Sequence, residues 1–152
     1  MDLVAIEEIK RLKHRYLRTL DLKQWDEFGD TLTPDCSADY GERLSFLGRD
    51  EIVAFMRRSL GPELITMHHC HHPEIDVEPG ADEATGTWAL EDKVILWKDR
   101  LMITGATFYE DRYRRDASGA WRIARTGYVR LFEAMEPLPE RFRLTANRWD
   151  DT

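Results

Sequence analysis

The chain has 152 residues, a formal charge of −7 at pH 7, 42% hydrophobic residues and 34% charged residues. This length and composition predict one soluble globular domain, and no run of about 18 apolar residues is present that could cross a bilayer. The negative charge opposes binding to nucleic acid, because phosphates favour proteins with clustered lysine and arginine. The N-terminus lacks the features of a secretory signal, and Cys36 and Cys70 are too few for a disulfide scaffold. We therefore expect a cytoplasmic protein with reduced thiols.

The first segment is predicted to be an amphipathic helix, because apolar residues recur every three or four positions from Ile6 to Leu20. Tyr16 lies on the apolar stripe, so its hydroxyl group needs a buried partner or a ligand. Asp21 follows at the end of the helix, where a carboxylate meets an unfavourable dipole. Asp21 is therefore either a functional carboxylate or the N-cap of the next helix.

The rest of the first 60 residues is predicted to hold two short helices and two short strands. Pro34 ends the first of these helices, Asp50 is the expected N-cap of the second, and Gly61-Pro62 ends it. The predicted elements are a helix over residues 24–32, strands over 36–40 and 44–47, and a helix over 51–60.

Residues 64–132 are predicted to be extended, in four strands separated by short turns rich in glycine, proline and aspartate. The strands span residues 64–77, 83–97, 101–115 and 121–132. Connections this short join antiparallel neighbours. We therefore predict an α+β domain over residues 1–132, in which a curved antiparallel sheet wraps around the N-terminal helices and encloses a pocket. Residues 133–152 are expected to form an arm or a cap of the same domain.

Side chains alternate along a strand, and this alternation places Asp92 on the apolar face of its strand, with Trp88 and Leu90. A carboxylate in such a place is costly unless it is paired, hydrogen-bonded or protonated. Asp92 is therefore a functional group, a structural ion-pair partner or a residue that a bulge turns outward.

Alternation along the last strand also predicts the face on which Arg130 lies. Arg130 should share that face of the last strand with Tyr128 and Phe132, opposite Ile123. Two interpretations are open: an ion-pair partner at the rim of the pocket, or an anchor for an anionic group.

Four of the five histidines fall within five consecutive positions, and histidine can exchange protons or bind metals near neutral pH. Alternation separates them, with His68 and His72 on one face and His69 and His71 on the other. Pro73 interrupts the ladder and predicts a bulge or an edge. The chain has no His-Glu-x-x-His motif, no paired Cys-x-x-Cys units and no glycine-rich phosphate loop, so neither a metal nor a nucleotide cofactor is expected.

Several motifs resemble the SnoaL-like branch of the nuclear-transport-factor-2-like superfamily. In the helical part they are Ala5-Ile6-Glu7-Glu8-Ile9, Tyr16, Leu20-Asp21, Trp25-Asp26-Glu27 and Thr33-Pro34. The motifs of the sheet are similar to those of the bile acid 7α-dehydratase family. They are Met67-His68, His71-His72-Pro73-Glu74-Ile75, Ala84-Thr85-Gly86-Thr87-Trp88, Leu90-Glu91-Asp92, Phe108-Tyr109 and Thr126-Gly127-Tyr128-Val129-Arg130. The resemblance covers roughly residues 5–132 and implies a cone-shaped α+β barrel.

This resemblance implies a lyase that removes water from a hydroxysteroid-like or other polycyclic hydroxy-ketone without a metal or redox cofactor. The working residues of the family fall on Tyr16, Asp21, His68, Asp92 and Arg130. Scytalone dehydratase, another member of the superfamily, is a poorer match, because its second catalytic histidine has no histidine counterpart near Asp92.

In the implied scheme His68 is the base that removes a carbon-bound proton, and Asp92 orients it. Tyr16, assisted by Asp21, binds the carbonyl group or the leaving hydroxyl group. Arg130 pairs with a buried carboxylate or anchors an anionic group of the substrate. The expected substrate contacts come from Tyr40, His72, Trp88, Phe108 and Tyr128.

Other functions fit the same residues. An isomerase, or a lyase that releases formaldehyde from aromatic diols, would use the same proton-transfer groups. A non-catalytic module that binds a small ligand or a protein is expected instead if His68 and Asp92 lie on opposite sides of the sheet, or if side chains fill the pocket. A homodimer or homotrimer is also expected, because Trp88, Trp97 and Trp121 indicate a sheet face that packs against another copy.

Overall fold

The computed structural model describes residues 1–150, which form three helices and six strands in an α+β arrangement. The helices are α1 (Leu3–Asp21), α2 (Trp25–Gly29) and α3 (Arg49–Ser59). The strands are β1 (Leu32–Tyr40), β2 (Leu44–Leu47), β3 (Leu64–Asp76), β4 (Glu83–Leu96), β5 (Leu101–Arg115) and β6 (Trp121–Pro137). The α+β prediction is confirmed. Residues 151 and 152, which belong to the predicted arm, lie outside the described residues.

The first helix forms as its apolar stripe predicts. Its N-cap is Asp2, whose side chain accepts a hydrogen bond from the backbone N–H of Ala5. This bond satisfies one of the donors that a helix start leaves without a partner. The stripe packs against β3 and β6, and Tyr16 is completely buried on it.

The two short helices differ from their predictions at their ends. Helix α2 is shorter than predicted, because β1 begins at Leu32. Its N-cap position is Gln24, so the interpretation of Asp21 as that cap is wrong. Helix α3 begins after Gly48, and Asp50 lies in its first turn instead of at the cap. There its carboxylate still interacts favourably with the helix dipole.

The strands form one sheet in the order β2-β1-β6-β5-β4-β3. The antiparallel meander from β3 to β6 is confirmed. The sheet as a whole is mixed, however, because β1 pairs with β6 in parallel. This pairing joins residues about 90 positions apart in the chain, which turn signals between neighbouring strands cannot reveal. Helix α1 packs against β3 and β6 of this curved sheet.

Two irregularities in the sheet change which side chains share a face. The ladder between β3 and β4 shifts register at His72 and Pro73, which confirms the predicted bulge, and His72 has a positive φ of 26°. In β6, two further shifts pair Ile123 with Tyr113 and Phe132 with Ala106. Ile123 therefore shares the inner face with Arg130, and Phe132 lies on the outer face, which corrects both assignments. An assignment of faces by strict alternation does not allow for an inserted residue, so it fails after a bulge.

The last strand is longer than predicted, since β6 continues to Pro137, which pairs with Leu101. The arm therefore begins at Leu138, which is buried and donates its backbone N–H to the carbonyl of Arg100 (2.8 Å). Farther along, the ammonium group of Lys23 lies 5.0 Å from the centre of the Trp149 ring. The arm thus crosses the β4–β5 turn and reaches the loop that follows α1.

The tryptophans do not form the exposed sheet face that was expected. Trp88 and Trp121 are 1% and 4% exposed and belong to the core. The exposed apolar side chains of the sheet are others, chiefly on the outer face of β5 and β6. On β5 and β6 they are Phe108, Val129, Leu131, Phe132 and Met135, and on β2 and β3 they are Leu44, Leu47 and Met67. Among residues 1–150, no helix is both long enough and apolar enough to span a membrane.

Candidate active site

The carboxylate of Asp21 binds His68 from the end of α1. Its Oδ1 atom lies 2.7 Å from Nδ1 of His68 and accepts a hydrogen bond from the hydroxyl of Thr66 (2.8 Å). Its Oδ2 atom accepts the backbone N–H of His68 (2.9 Å). These donors from β3 offset the unfavourable position of a carboxylate at a helix C-terminus. Because Nδ1 donates to the carboxylate, Nε2 of His68 keeps its lone pair and can act as a base.

This geometry corrects two expected partnerships. Asp92 was expected to orient His68, and Asp21 was expected to assist Tyr16. Instead Asp21 orients His68, and the hydroxyl of Tyr16 lies 2.9 Å from the hydroxyl of Tyr40. Pairing between residues on distant elements depends on how the helix docks onto the sheet, which the strand pattern alone does not define.

Asp92 and Arg130 form the second pair of the site. Asp92 lies directly opposite His68 in the β3–β4 ladder, so the two side chains share the inner face of the sheet. Both oxygens of Asp92 accept hydrogen bonds from the Arg130 guanidinium, one of them at 3.0 Å from Nη2. Glu133 lies 3.3 Å from Nη2. The hydrogen bond to Asp92 raises the pKa of Arg130, which therefore stays protonated.

A glycine makes room for this ion pair. Gly105 lies opposite Asp92 in the β4–β5 ladder. A Cβ atom added there would overlap the guanidinium of Arg130 and lie 2.9 Å from Oδ1 of Asp92. The pair thus occupies the space that a side chain at position 105 would need.

The two pairs meet at a small cavity of about 20 Å³. Its walls are formed by His68, Leu90, Asp92, Thr107, Tyr109, Tyr128 and Arg130. The volume is enough for about one water molecule. The structure therefore brings three of the five predicted working residues, His68, Asp92 and Arg130, to one cavity and holds Asp21 against the first of them.

Tyr16 is in the core and does not line this cavity. Burial raises the pKa of its hydroxyl well above the usual value of 10.0, and burial also raises that of Tyr40. Both hydroxyls therefore stay protonated. The ring of Tyr40 packs on Tyr128 with a distance of 5.7 Å between ring centres, so Tyr16 reaches the cavity only through other side chains.

The expected substrate contacts divide into three groups. Tyr128 lines the cavity and Tyr40 packs behind it. Trp88 is buried and donates its Nε1–H to the hydroxyl of Tyr113 (2.8 Å), so it belongs to the core. His72 is exposed in the bulge, and Phe108 is 44% exposed on the outer face. Phe108 alternates with Thr107 and Tyr109, which both face the cavity, so it points the other way and its predicted role is corrected.

A buried ion pair beside the site was missed by the sequence-based predictions. Nζ of Lys13 lies 2.7 Å from Oδ2 of Asp111, and neither side chain is exposed. Asp111 also accepts hydrogen bonds from the hydroxyls of Thr126 (2.7 Å) and Tyr113 (2.8 Å). The Lys13 ammonium lies 4.0 Å from the centre of the Tyr109 ring, a cation–π contact with a wall of the cavity. Asp111 lies two residues from Tyr109 and from Tyr113, so strand alternation puts its carboxylate on their buried face, and this was the signal that could have revealed the pair.

No group of three or more histidine, cysteine, aspartate or glutamate side chains within residues 1–150 is arranged to hold a metal ion. The described site offers a histidine base, a protonated arginine and tyrosine hydroxyls. Such groups can move protons and stabilise an oxyanion.

Residues 1–127 match the profile of the SnoaL-like domain. The chain belongs to the SnoaL-like domain family. Its fold is also similar to that of a scytalone dehydratase candidate from Novosphingobium aromaticivorans DSM 12444, with a TM-score of 0.80, 20% identity and coverage of 93% of this chain and 97% of that chain.

Two further solved structures share this SnoaL-like fold. Hexachlorocyclohexane dehydrochlorinase LinA-type3 from Novosphingobium barchaimii LL02 has a TM-score of 0.79 at 16% identity, over 95% of this chain and 97% of that chain. ActVI-ORFA from Streptomyces coelicolor has a TM-score of 0.71 at 14% identity, over 84% of this chain and 97% of that chain. At these identities the likeness shows the fold, and function has to be argued from the site.

Proposed function

We propose that this SnoaL-like protein is a cofactor-independent lyase that eliminates water from a hydroxysteroid-like or other polycyclic hydroxy-ketone, as the bile acid 7α-dehydratase family does. One observation carries the proposal: the Asp21–His68 pair and the Asp92–Arg130 pair meet at one cavity. The first pair supplies a base and the second a charged donor. An elimination beside a carbonyl group needs both.

The reaction begins with proton removal by His68. Nε2 takes a proton from the carbon next to the hydroxyl-bearing carbon, which in a 4-en-3-one is conjugated with the carbonyl group through the carbon–carbon double bond, and the electrons of that C–H bond form a dienolate. Asp21 stabilises the imidazolium that results, because its carboxylate already holds Nδ1 at 2.7 Å. The dienolate then collapses, a carbon–carbon double bond forms and the carbon–oxygen bond breaks. The proton on Nε2 passes to the departing hydroxide, so water leaves and the base is restored.

The dienolate oxygen needs a donor that is in place before its charge develops. Arg130 is such a donor, because Asp92 holds it at the cavity and keeps it protonated. The hydroxyl of Tyr128 is a second donor among the cavity walls. Tyr16 and Tyr40 support this wall from behind, and Tyr16 takes no part in the proton transfer.

The solved relatives support an elimination in general terms. A dehydratase removes water and a dehydrochlorinase removes hydrogen chloride, and both words occur in the names of structures with this fold. An isomerase or a formaldehyde-releasing lyase on aromatic diols would use His68 in the same way and would differ in where the proton goes.

A non-catalytic binding protein is the second candidate function. One observation favours it: the cavity of about 20 Å³ is too small for a polycyclic molecule as it stands. A protein that only binds would not need a histidine base held by a carboxylate, so the paired groups favour the lyase.

Incubation with 7α-hydroxy-4-en-3-one steroids tests the proposal. The product has an extended dienone, whose absorbance rises as water is lost, and the steroid without the 7α-hydroxyl group is the control. A rise only with the hydroxylated substrate is the expected result. Binding without any change in absorbance supports the binding protein, and no signal across such substrates overturns the steroid dehydratase.

We also propose that the chain forms a homodimer or homotrimer. The support is the exposed outer face of β5 and β6, where Val129 and Leu131 are 67% and 65% exposed. Exposed apolar patches of this kind mark interaction sites. Light scattering should give a mass of two or three chains for the natural sequence and one chain for Leu131→Lys, whereas a monomer in both cases contradicts the proposal.

A further inference from the structure

A second space borders His68, on the flank of α1. It is a groove of about 380 Å³ between this helix and β3, the edge strand of the sheet. Its apolar surface comes from Leu17 and Leu22 on the helical side and from Met67 and Cys70 on the strand. Met67 is 51% exposed, so its side chain is open to a ligand in the groove.

The groove differs from the cavity in the size of molecule that it can hold. Small-molecule sites have volumes of about 300–1,000 Å³, and the groove falls within this range, whereas the cavity of about 20 Å³ does not. Two larger depressions lie elsewhere on the described surface, one near Asp76 and Arg112 and the other between α2 and α3. Neither includes Asp21 or His68. The groove is therefore the space of ligand size that reaches the Asp21–His68 pair.

The rim of the groove carries the cationic side chain of Arg18, although the whole chain is acidic, with a formal charge of −7. Its polar side chains are His14 and Arg18 on α1 and His69 and His71 on β3. Within residues 1–150, no aspartate or glutamate is paired with Arg18 at 4.0 Å or less. The single acidic residue that lines the groove, Asp21, already accepts hydrogen bonds from β3. A cationic side chain beside an apolar surface favours a ligand that carries a negative group.

We propose that this groove binds an apolar molecule with an anionic group, whose apolar part covers Leu17, Leu22 and Met67 and whose anionic group lies beside Arg18. If the elimination proposed above is correct, this molecule is the substrate; only this identification of the ligand rests on the proposed function. The reacting carbons would then approach His68 from the groove, and the remote part of the substrate would supply binding energy outside the small cavity.

Two dyes that differ by one charged group test the groove itself. One is 8-anilinonaphthalene-1-sulfonate, and the other is N-phenyl-1-naphthylamine, which has the same rings without the sulfonate. Both are titrated by fluorescence into the natural protein and into Arg18→Glu, Met67→Asp and Arg15→Glu. Arg15 is exposed on the same helix but does not line the groove, so its variant is the matched control.

The sulfonate dye should bind once per chain. Arg18→Glu should weaken it about tenfold, because a reversed charge removes an attraction and adds a repulsion. The neutral dye should change less than about twofold in that variant. Met67→Asp should weaken both dyes, and Arg15→Glu should weaken neither.

Three results would overturn the proposal. The first is that the sulfonate dye binds Arg18→Glu as tightly as it binds the natural protein. The second is that both dyes lose the same affinity in that variant. The third is that Met67→Asp changes the protein from an oligomer to a monomer, which would make the groove an interface between copies. Turnover gives a separate readout, since Arg18→Glu should raise KM for an anionic substrate and leave kcat unchanged. If the dyes behave as expected but no hydroxy-ketone is turned over, the binding site in the groove is supported and the proposed lyase activity is contradicted.

Discussion

Asp21, the last residue of α1, holds Nδ1 of His68 in the middle of β3 at a distance of 2.7 Å. The same carboxylate accepts the backbone N–H of His68, so it aligns both the ring and the strand. A base is effective when its orientation and tautomer are defined before the substrate arrives. The docking of one helix onto an edge strand therefore produces the reactive nitrogen of the site.

Replacing Asp21 with asparagine should lower kcat by about 10²–10⁴-fold, the range of a general base, with little change in KM. The asparagine amide would donate to Nδ1 of His68, which moves the ring proton to Nε2, where it blocks proton removal. Steady-state kinetics on an active hydroxy-ketone measures the effect. Asp26→Asn is the matched control, because the Asp26 side chain is 99% exposed. If kcat of Asp21→Asn equals kcat of the natural protein, the carboxylate has no part in the reaction.

Gly105→Ala should destabilise the protein by about 1–3 kcal/mol, as insertions of a methyl group into packed sites do. The new Cβ would overlap Arg130 and push it away from Asp92. Thermal and urea unfolding measure the loss. In an Arg130→Ala background the same substitution should cost less, because the group that it meets is gone. Equal costs in both backgrounds would mean that the glycine does not serve the ion pair.

Lys13→Met should reduce the free energy of unfolding by about 3–5 kcal/mol, because it leaves Asp111 as an unpaired charge in the core. Adding Asp111→Asn should recover part of this loss, since the amide is neutral: its oxygen can still accept one of the two hydroxyl hydrogen bonds from Thr126 and Tyr113, and its NH2 group can donate to the other hydroxyl. Urea unfolding of the two single variants and the double variant gives the coupling. A double variant that is less stable than Lys13→Met would contradict this account of the pair.

The buried tyrosines should make the protein lose stability above pH 10. Burial raises the pKa of Tyr16, Tyr109 and Tyr113 well above 10.0, the value in an unfolded chain. Their contribution is therefore complete below pH 10. Above it the unfolded chain binds fewer protons than the folded one, and the free energy of unfolding falls by up to about 1.4 kcal/mol per pH unit for each tyrosine.

Urea unfolding between pH 9 and 11, together with tyrosinate absorbance, checks this pH dependence. The absorbance of these three tyrosines should appear only with unfolding. Tyr16→Phe should reduce the slope of stability against pH. Titration of all five tyrosines in the folded protein near pH 10 would contradict the burial argument.

The elements that could be predicted are those whose signal is local. Period-two alternation and short turns predicted β3, β4 and β5 to within one residue and the start of β6, and they placed Asp92 and His68 on the inner face. The parallel pairing of β1 with β6 could not be predicted, because nothing within either strand indicates a partner about 90 residues away. The bulges of β6 were missed for a related reason. One inserted residue moves the side chains that follow it to the opposite face of the sheet, and the amino-acid composition of the strand gives no sign of it.

The residues of the site were predicted, but two of the partnerships between them, Asp92 with His68 and Asp21 with Tyr16, were predicted wrongly. Asp21 and Tyr16 lie on α1, so the docking of this helix onto the sheet determines which residues they contact. Asp92 and Arg130 lie on β4 and β6, so their contact depends on the register of the sheet. Lys13 was overlooked because a lysine among helix charges is usually exposed. Only the buried carboxylate of Asp111 makes its burial tolerable.

The dehydration rate of a 7α-hydroxy-4-en-3-one steroid in His68→Ala is the most direct test of the central claim that His68 is the base. The natural protein should produce the dienone, and His68→Ala should do so at least about 10²-fold more slowly while keeping its unfolding temperature. Lys93→Gln, exposed on the other face of β4, should match the natural rate. A His68→Ala variant that keeps the natural rate would contradict the account.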